Sequence, residues 1–158
     1  MHELIAAILF AIEATQVNAV LSPRAAKARI PIVTQLIVKY SNVVRLDPVM
    51  VAAIVSIENP RLVPAARGGA NVGIMQVHPA WLRRTDWQRE CGSDLTNVET
   101  NICFGTKVLR AHLDEHDELT KGLLAYNGCK TTKCRGYATK VLARRDAARR
   151  AVSHIDQD

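Results

Sequence analysis

Aromatic residues are scarce in this chain: two Trp, three Tyr and two Phe among 158 residues, 4% of the total. Ala, Val, Leu and Ile fill the apolar share instead, which favours helices over strands. Glycine and proline are few as well, eight and six, so collagen-like and low-complexity chains are excluded. The longest purely apolar run, Leu4 to Ile12, is nine residues, well short of the roughly 20 a membrane-spanning helix needs. There is no Walker loop, nucleophile elbow, dinucleotide fingerprint or CxxC pair, and no Cys/His pattern with zinc spacing, which removes the common nucleotide, acyl-transfer and structural-zinc readings. No internal repeat and no linker composition occurs. What remains, 48% apolar and 23% charged residues, is too hydrophobic for disorder and suits one compact domain over 1–158.

Positive charge is concentrated rather than spread. The formal charge is +6, yet between Cys129 and Arg150 eight Lys and Arg face Asp146 alone, so this segment carries +7 and the rest of the chain −1. A cationic segment of this kind suits an anionic partner such as nucleic acid, a membrane surface or an anionic envelope polymer; the alternative is a solvated helix face. For specific nucleic-acid recognition the segment lacks interleaved aromatics and any base-reading motif, so none is expected.

Four cysteines, Cys91, Cys103, Cys129 and Cys134, allow three pairings. Pairing of sequence neighbours would close two local loops, Cys91 with Cys103 and Cys129 with Cys134, and implies an oxidising compartment; four free thiols are the other reading. The apolar run at Leu4 to Ile12 reads as a buried helix, with an export signal as the minor reading, because Met-His-Glu supplies no positive lead.

Periodicity and punctuation divide the chain into helices. Residues 3–20 read as a helix, Ser22-Pro23 can cap and start the next, which shows helical spacing over Ile30 to Val44, and Asp47-Pro48 reads as an N-cap and first-turn Pro opening a short apolar helix that ends at Asn59-Pro60. Residues 59–76 are rich in Pro, Gly, Asn and Ala and read as an irregular excursion with a small hairpin around Arg67 to Met75. His78-Pro79-Ala80-Trp81 restarts a helix, 85–97 reads as a polar loop, and Glu99 to Glu115, Leu119 to Tyr126 and Tyr137 to Val152 read as helices. The fold class is mostly α, a helical domain with one small β-hairpin.

Glu58 is the anomaly in this pattern. It closes an apolar helix and shares a face with Ile54 and Val55. Desolvation and the negative end of the helix dipole both disfavour its charged form, so its pKa is expected to rise. A carboxylic acid that stays protonated near neutral pH can donate a proton to a glycosidic oxygen. The competing reading is a helix-terminal Glu that reaches solvent.

Several short motifs stand in order around it: Glu58-Asn59, Gly73-Ile74-Met75-Gln76-Val77, Glu99-Thr100-Asn101-Ile102, Gly105 and Ala125-Tyr126-Asn127. Together they resemble the catalytic domain of soluble lytic transglycosylases, a lysozyme-like family acting on peptidoglycan. The resemblance covers about 45–142, leaving 1–44 as N-terminal helices packing on the core and 143–158 as the basic C-terminal helix and tail. It implies an α+β lysozyme-like fold, Glu58 as single acid/base, and peptidoglycan glycan strands as substrate, with no cofactor and no metal. It further implies that Gly73, Met75 and Gln76 line the glycan cleft, that the Tyr126 hydroxyl helps hold the acid, and that Asn101 and Asn127 are cleft amides. The family usually has Ser after the acid, where this chain has Asn59. The implied location is extracytoplasmic, in the periplasm or envelope, or in a phage virion.

Two rival chemistries are written in the same sequence. A lysozyme-type hydrolase of the inverting kind needs a second carboxylate roughly 6.5–9.5 Å from the acid, for which Asp86, Asp94 and Glu99 are the candidates. His112-Leu113-Asp114-Glu115-His116 fits the H-x-x-E-H signature of a zinc peptidase, with two His one helical turn apart.

Overall fold

A computed structural model of the chain describes residues 2–13, 23–129, 134 and 136–153. Among these, helix α3 (Pro48–Glu58) lies at the centre. Asp47 starts it as the sequence predicts, its side chain accepting a hydrogen bond from the Val49 amide at 3.0 Å. Every residue from Val49 to Ser56 is buried, because α1 (His2–Glu13), α2 (Pro23–Val43) and α7 (Gly136–Ser153) all pack around α3. A helix apolar on all sides can be stable only if enclosed in this way.

The second half of the core forms on α5 (Val98–Asp114), which packs against α2, against the short α4 (Thr85–Cys91) and against α6 (Leu119–Tyr126). Asn97 caps α5 through the Thr100 amide. Ile102, Val108 and Leu109 are buried and Leu113 is half-buried, the stripe that the 3.6-residue period predicts. One continuous cluster of buried side chains runs from Ile8 in α1 to Ala148 in α7. Each fully buried Ile or Leu in it contributes about 1.5–3 kcal/mol.

Between α3 and α4 lies the irregular excursion. It contains a two-stranded antiparallel ribbon, β1 (Arg67–Gly68) paired with β2 (Asn71–Val72), followed by a bridge in which Val72 and Val77 exchange hydrogen bonds of 3.0 and 2.9 Å. A 3₁₀ turn, Pro79–Arg83, comes next, with the His78 ring accepting from the Ala80 amide. The mostly α class with one small hairpin after the central helix is therefore the fold observed.

The elements differ from the sequence reading at one place. Residues 85–97 are not all loop, since 85–91 form α4; seven residues are too few for periodicity to register, and buried Trp87 and Cys91 hold the turn against α5. The second helix begins at Pro23, where the sequence predicts a start, and runs through Pro31. Proline removes one backbone bond there, while Ile30, Val33 and Ile37 anchor the helix in the core on both sides of it. The first helix ends at Glu13; the rest of the expected span to residue 20 lies outside the described residues.

Both local disulfides form: Cys91 with Cys103, joining α4 to α5, and Cys129 with Cys134, between α6 and α7. Among the described residues no helix is long and apolar enough to cross a membrane. The basic helix α7 spends part of its charge internally. Arg144 donates to the Ser56 hydroxyl of α3 at 3.0 Å, and Arg149 pairs with Asp47 at 2.8 Å. Lys140 and Arg150 are exposed. Lys130, Lys133 and Arg135, which belong to the expected cationic segment, lie outside the described residues.

Candidate active site

Glu58 ends α3 and is half-buried. The Tyr137 hydroxyl, from the first turn of α7, donates to its Oε1 at 2.6 Å, and the Asn127 side chain is a second hydrogen-bond partner. Burial pushes the carboxyl above the ordinary carboxylate range; the two hydrogen bonds act in the opposite direction and offset this only in part. Tyr137 is itself buried against Glu58, so its hydroxyl is held far above its usual pKa and remains a proton donor. Burial thus acts on Glu58 in the expected upward direction and is the leading cause of the shift.

The loop facing Glu58 is set by two buried carboxamides. Asn59, 4% exposed, follows the acid directly. Its Nδ2 donates to the carbonyls of Val63 (2.7 Å) and Gly73 (3.1 Å), and its Oδ1 accepts from the Val63 amide (3.1 Å). Asn101, fully buried on α5, accepts from the Met75 amide (2.8 Å) and donates to Val72 and Leu95 carbonyls (2.8 Å each). In the position where the family usually has Ser, the longer amide therefore spans the start of the excursion and its far end.

These bonds correct three expectations about the cleft. Asn101 is no cleft amide, because it is fully buried and its three hydrogen bonds all go to backbone groups inside the fold. Met75 has no exposed surface; it packs against Gly105, where any side chain would collide with its sulfur. Gly73 is likewise buried: it has φ +85°, and a Cβ there would strike the Asn101 amide. These three build the wall behind the groove without facing it.

Gln76 and Asn127 do line an open groove of about 230 Å³, along with Tyr126, Asn71, Trp81 and His112. Gln76 has φ +50°, a conformation costly for a non-glycine residue. It is held by its own side chain, which donates to the Gly73 carbonyl at 2.8 Å. The Tyr126 hydroxyl does not bind Glu58. It donates to the Met75 carbonyl at 2.7 Å, and the hydroxyl on the acid belongs to Tyr137. Tyr137 escapes sequence reasoning because 79 positions separate it from Glu58 and it opens a helix whose visible feature is charge.

The other carboxylates are occupied elsewhere. Asp86, half-exposed, pairs with Arg84 (2.9 Å), which holds its pKa below the usual value. Asp94 accepts from the Thr96 amide and hydroxyl and is lowered as well. Glu99 bonds Lys39 (2.7 Å) and Tyr40 (2.8 Å) and is also lowered. All three are acids that prefer to be ionised, unlike Glu58. Of the H-x-x-E-H residues, His112 lines the groove while His116 lines a different depression beside Arg45 and Arg145. Among the described residues no three His, Cys, Asp or Glu gather as a metal site.

The arrangement is an isolated, desolvated acid with two donors, next to an open groove. Comparison with curated proteins and comparison with solved structures return no match. A family model described as "Transglycosylase SLT domain" matches residues 35–141, from the middle of α2 to the start of α7. That span contains Glu58, Asn127 and Tyr137 together with the whole groove, so the chain belongs to the SLT transglycosylase family, whose domain acts on peptidoglycan.

Proposed function

We infer that Glu58 cleaves the β-1,4 bond between N-acetylmuramic acid and N-acetylglucosamine as a lone acid/base, releasing 1,6-anhydro-muramyl ends. The observation that supports this is the carboxyl raised by burial between Tyr137 and Asn127, with the other candidate carboxylates engaged in pairs of their own. Glu58 first gives its proton to the glycosidic oxygen, which leaves on N-acetylglucosamine. The positive charge that develops at the muramyl C1 is stabilised by the sugar's own N-acetyl carbonyl oxygen. Glu58, now anionic, takes the proton from the C6 hydroxyl. That oxygen bonds to C1, the acetamido group withdraws, and the acid is restored. Tyr137 holds the carboxyl in place through both steps by donating to Oε1.

Glu58→Gln supplies no proton and is expected to lose cleavage of purified sacculi by at least 100-fold, the lower end of what general acid catalysis contributes, about 10²–10⁴. Mass analysis of the products decides the chemistry, since anhydro ends lack one water relative to reducing ends. Reducing ends as the main product would overturn the ring-closing step. Placement in the periplasm or envelope, or in a virion, is part of the same reading and draws on the two disulfides. The exposed charges of α7 would then face an anionic envelope polymer or membrane surface.

A further inference from the structure

Seven aromatic residues serve the whole chain, yet its two tryptophans stack on one another. The rings of Trp81 and Trp87 lie 5.5 Å apart at 12°. Trp87 is buried and in turn meets Phe104 edge-on at 6.1 Å, with the Arg84 guanidinium 4.3 Å from its ring. Trp81 differs: it is half-buried and lines the groove. His112, also on the groove, meets it at 88° and 5.7 Å. The indole plane is therefore fixed by contacts on two sides, each aromatic pair contributing about 0.5–1.5 kcal/mol. Trp81 thus packs on the core through Trp87 while part of its ring remains on the groove.

We propose that Trp81 is a sugar platform: one N-acetylated pyranose of the glycan strand, away from the bond being cleaved, lays its apolar C–H face against the indole. The groove has the composition such a ring needs, an aromatic wall and a few convergent amides, Gln76, Asn71 and Asn127. Asn127 belongs to the groove and also bonds Glu58, so a strand lying along the groove reaches the acid. Because the platform is rigid before binding, little ordering entropy is lost when a sugar settles on it. The proposal rests on the reading of Glu58 given above.

The test uses the full chain carrying Glu58→Gln, which cannot turn over, and hexameric N-acetylglucosamine as probe. Titration calorimetry reads binding in the parent and in the Trp81 variants alike. Trp81→Ala is expected to weaken Kd about 10-fold, and Trp81→Phe, which keeps an aromatic face, to weaken it less. In the chain with Glu58 intact, Trp81→Ala raises KM on glycan strands about 10-fold with kcat within about twofold. Circular dichroism and thermal unfolding of both variants establish that they fold. An unchanged Kd in folded Trp81→Ala, or no binding by the Glu58→Gln parent up to millimolar probe, overturns the platform. If cleavage is also lost in Glu58→Gln, the acid assignment stands without the platform. Weaker binding in Trp81→Ala alongside full cleavage by Glu58→Gln keeps the platform and sinks the acid.

Discussion

Tyr137 donates its hydroxyl proton to Oε1 of Glu58 at 2.6 Å, linking the start of the last helix to the end of the central one. This bond favours the charged carboxylate, so removing it raises the Glu58 pKa further. In Tyr137→Phe the alkaline limb of the kcat profile is expected to move to higher pH, while kcat itself falls about 10-fold as the carboxyl loses its orientation. A pH–rate series on sacculi checks both. A limb shifted toward acid would contradict the role.

The same carboxyl makes stability depend on pH. Its folded pKa is raised above the unfolded value, so its contribution is fully present below the ordinary carboxylate pKa and is lost as pH rises through the raised one. Glu58→Gln removes this liability. It is expected to match the parent at pH 4 and to unfold at higher temperature at pH 8, by about 2–4 °C for each kcal/mol relieved. Calorimetry at the two pH values measures the difference.

Asp86 and Asp94 are expected to be dispensable. Asp86→Asn and Asp94→Asn should keep sacculus cleavage within about twofold, because each carboxylate is committed to a local pair. A 100-fold fall in either, the loss expected of a general base, would return the hydrolase reading.

Asn101→Ala leaves the Met75 amide and the Leu95 carbonyl without partners in the interior, while the Val72 carbonyl keeps its bond from the Val77 amide. At about 1–3 kcal/mol for each of these two unsatisfied buried groups, a loss of about 2 kcal/mol or more is expected in urea unfolding, with the m-value unchanged. A loss under about 1 kcal/mol would mean that water reaches these groups.

The two disulfides are expected to act on different observables. Breaking Cys91–Cys103 by a double Ser substitution should lower stability by about 2–4 kcal/mol, since it joins α4 to α5 behind Trp87. Breaking Cys129–Cys134 unties the stretch between Asn127 and Tyr137, the two partners of Glu58, and should lower kcat more than Tm. Parallel measurement of melting and initial rate separates the two.

Sequence carried the helices and the desolvation of Glu58 well, for physical reasons. Glu58 was legible because a carboxyl closing an apolar helix is an anomaly, and Asp47-Pro48 fixed where that helix starts. Which neighbours face the groove was not legible. Met75 and Asn101 occupy the positions the family resemblance assigns to the cleft, but order along a chain does not say which face of a turn is wet. Tyr137 and Trp81 were invisible for a different reason: their roles come from contacts between distant elements, and a ring stacked on a neighbouring helix leaves no periodic trace.

Asn59 and Asn101 together make five hydrogen bonds to the excursion between α3 and the 3₁₀ turn. This divides the groove into parts with different opening energies. The Met75 amide, sealed by Asn101, can exchange its hydrogen only when the core itself opens. The 3₁₀ turn that bears Trp81 has no fully buried residue and can open by itself. Amide exchange should therefore find a slow floor under a faster wall, the backbone of the turn exchanging readily while the Trp81 ring stays held by its stack on Trp87.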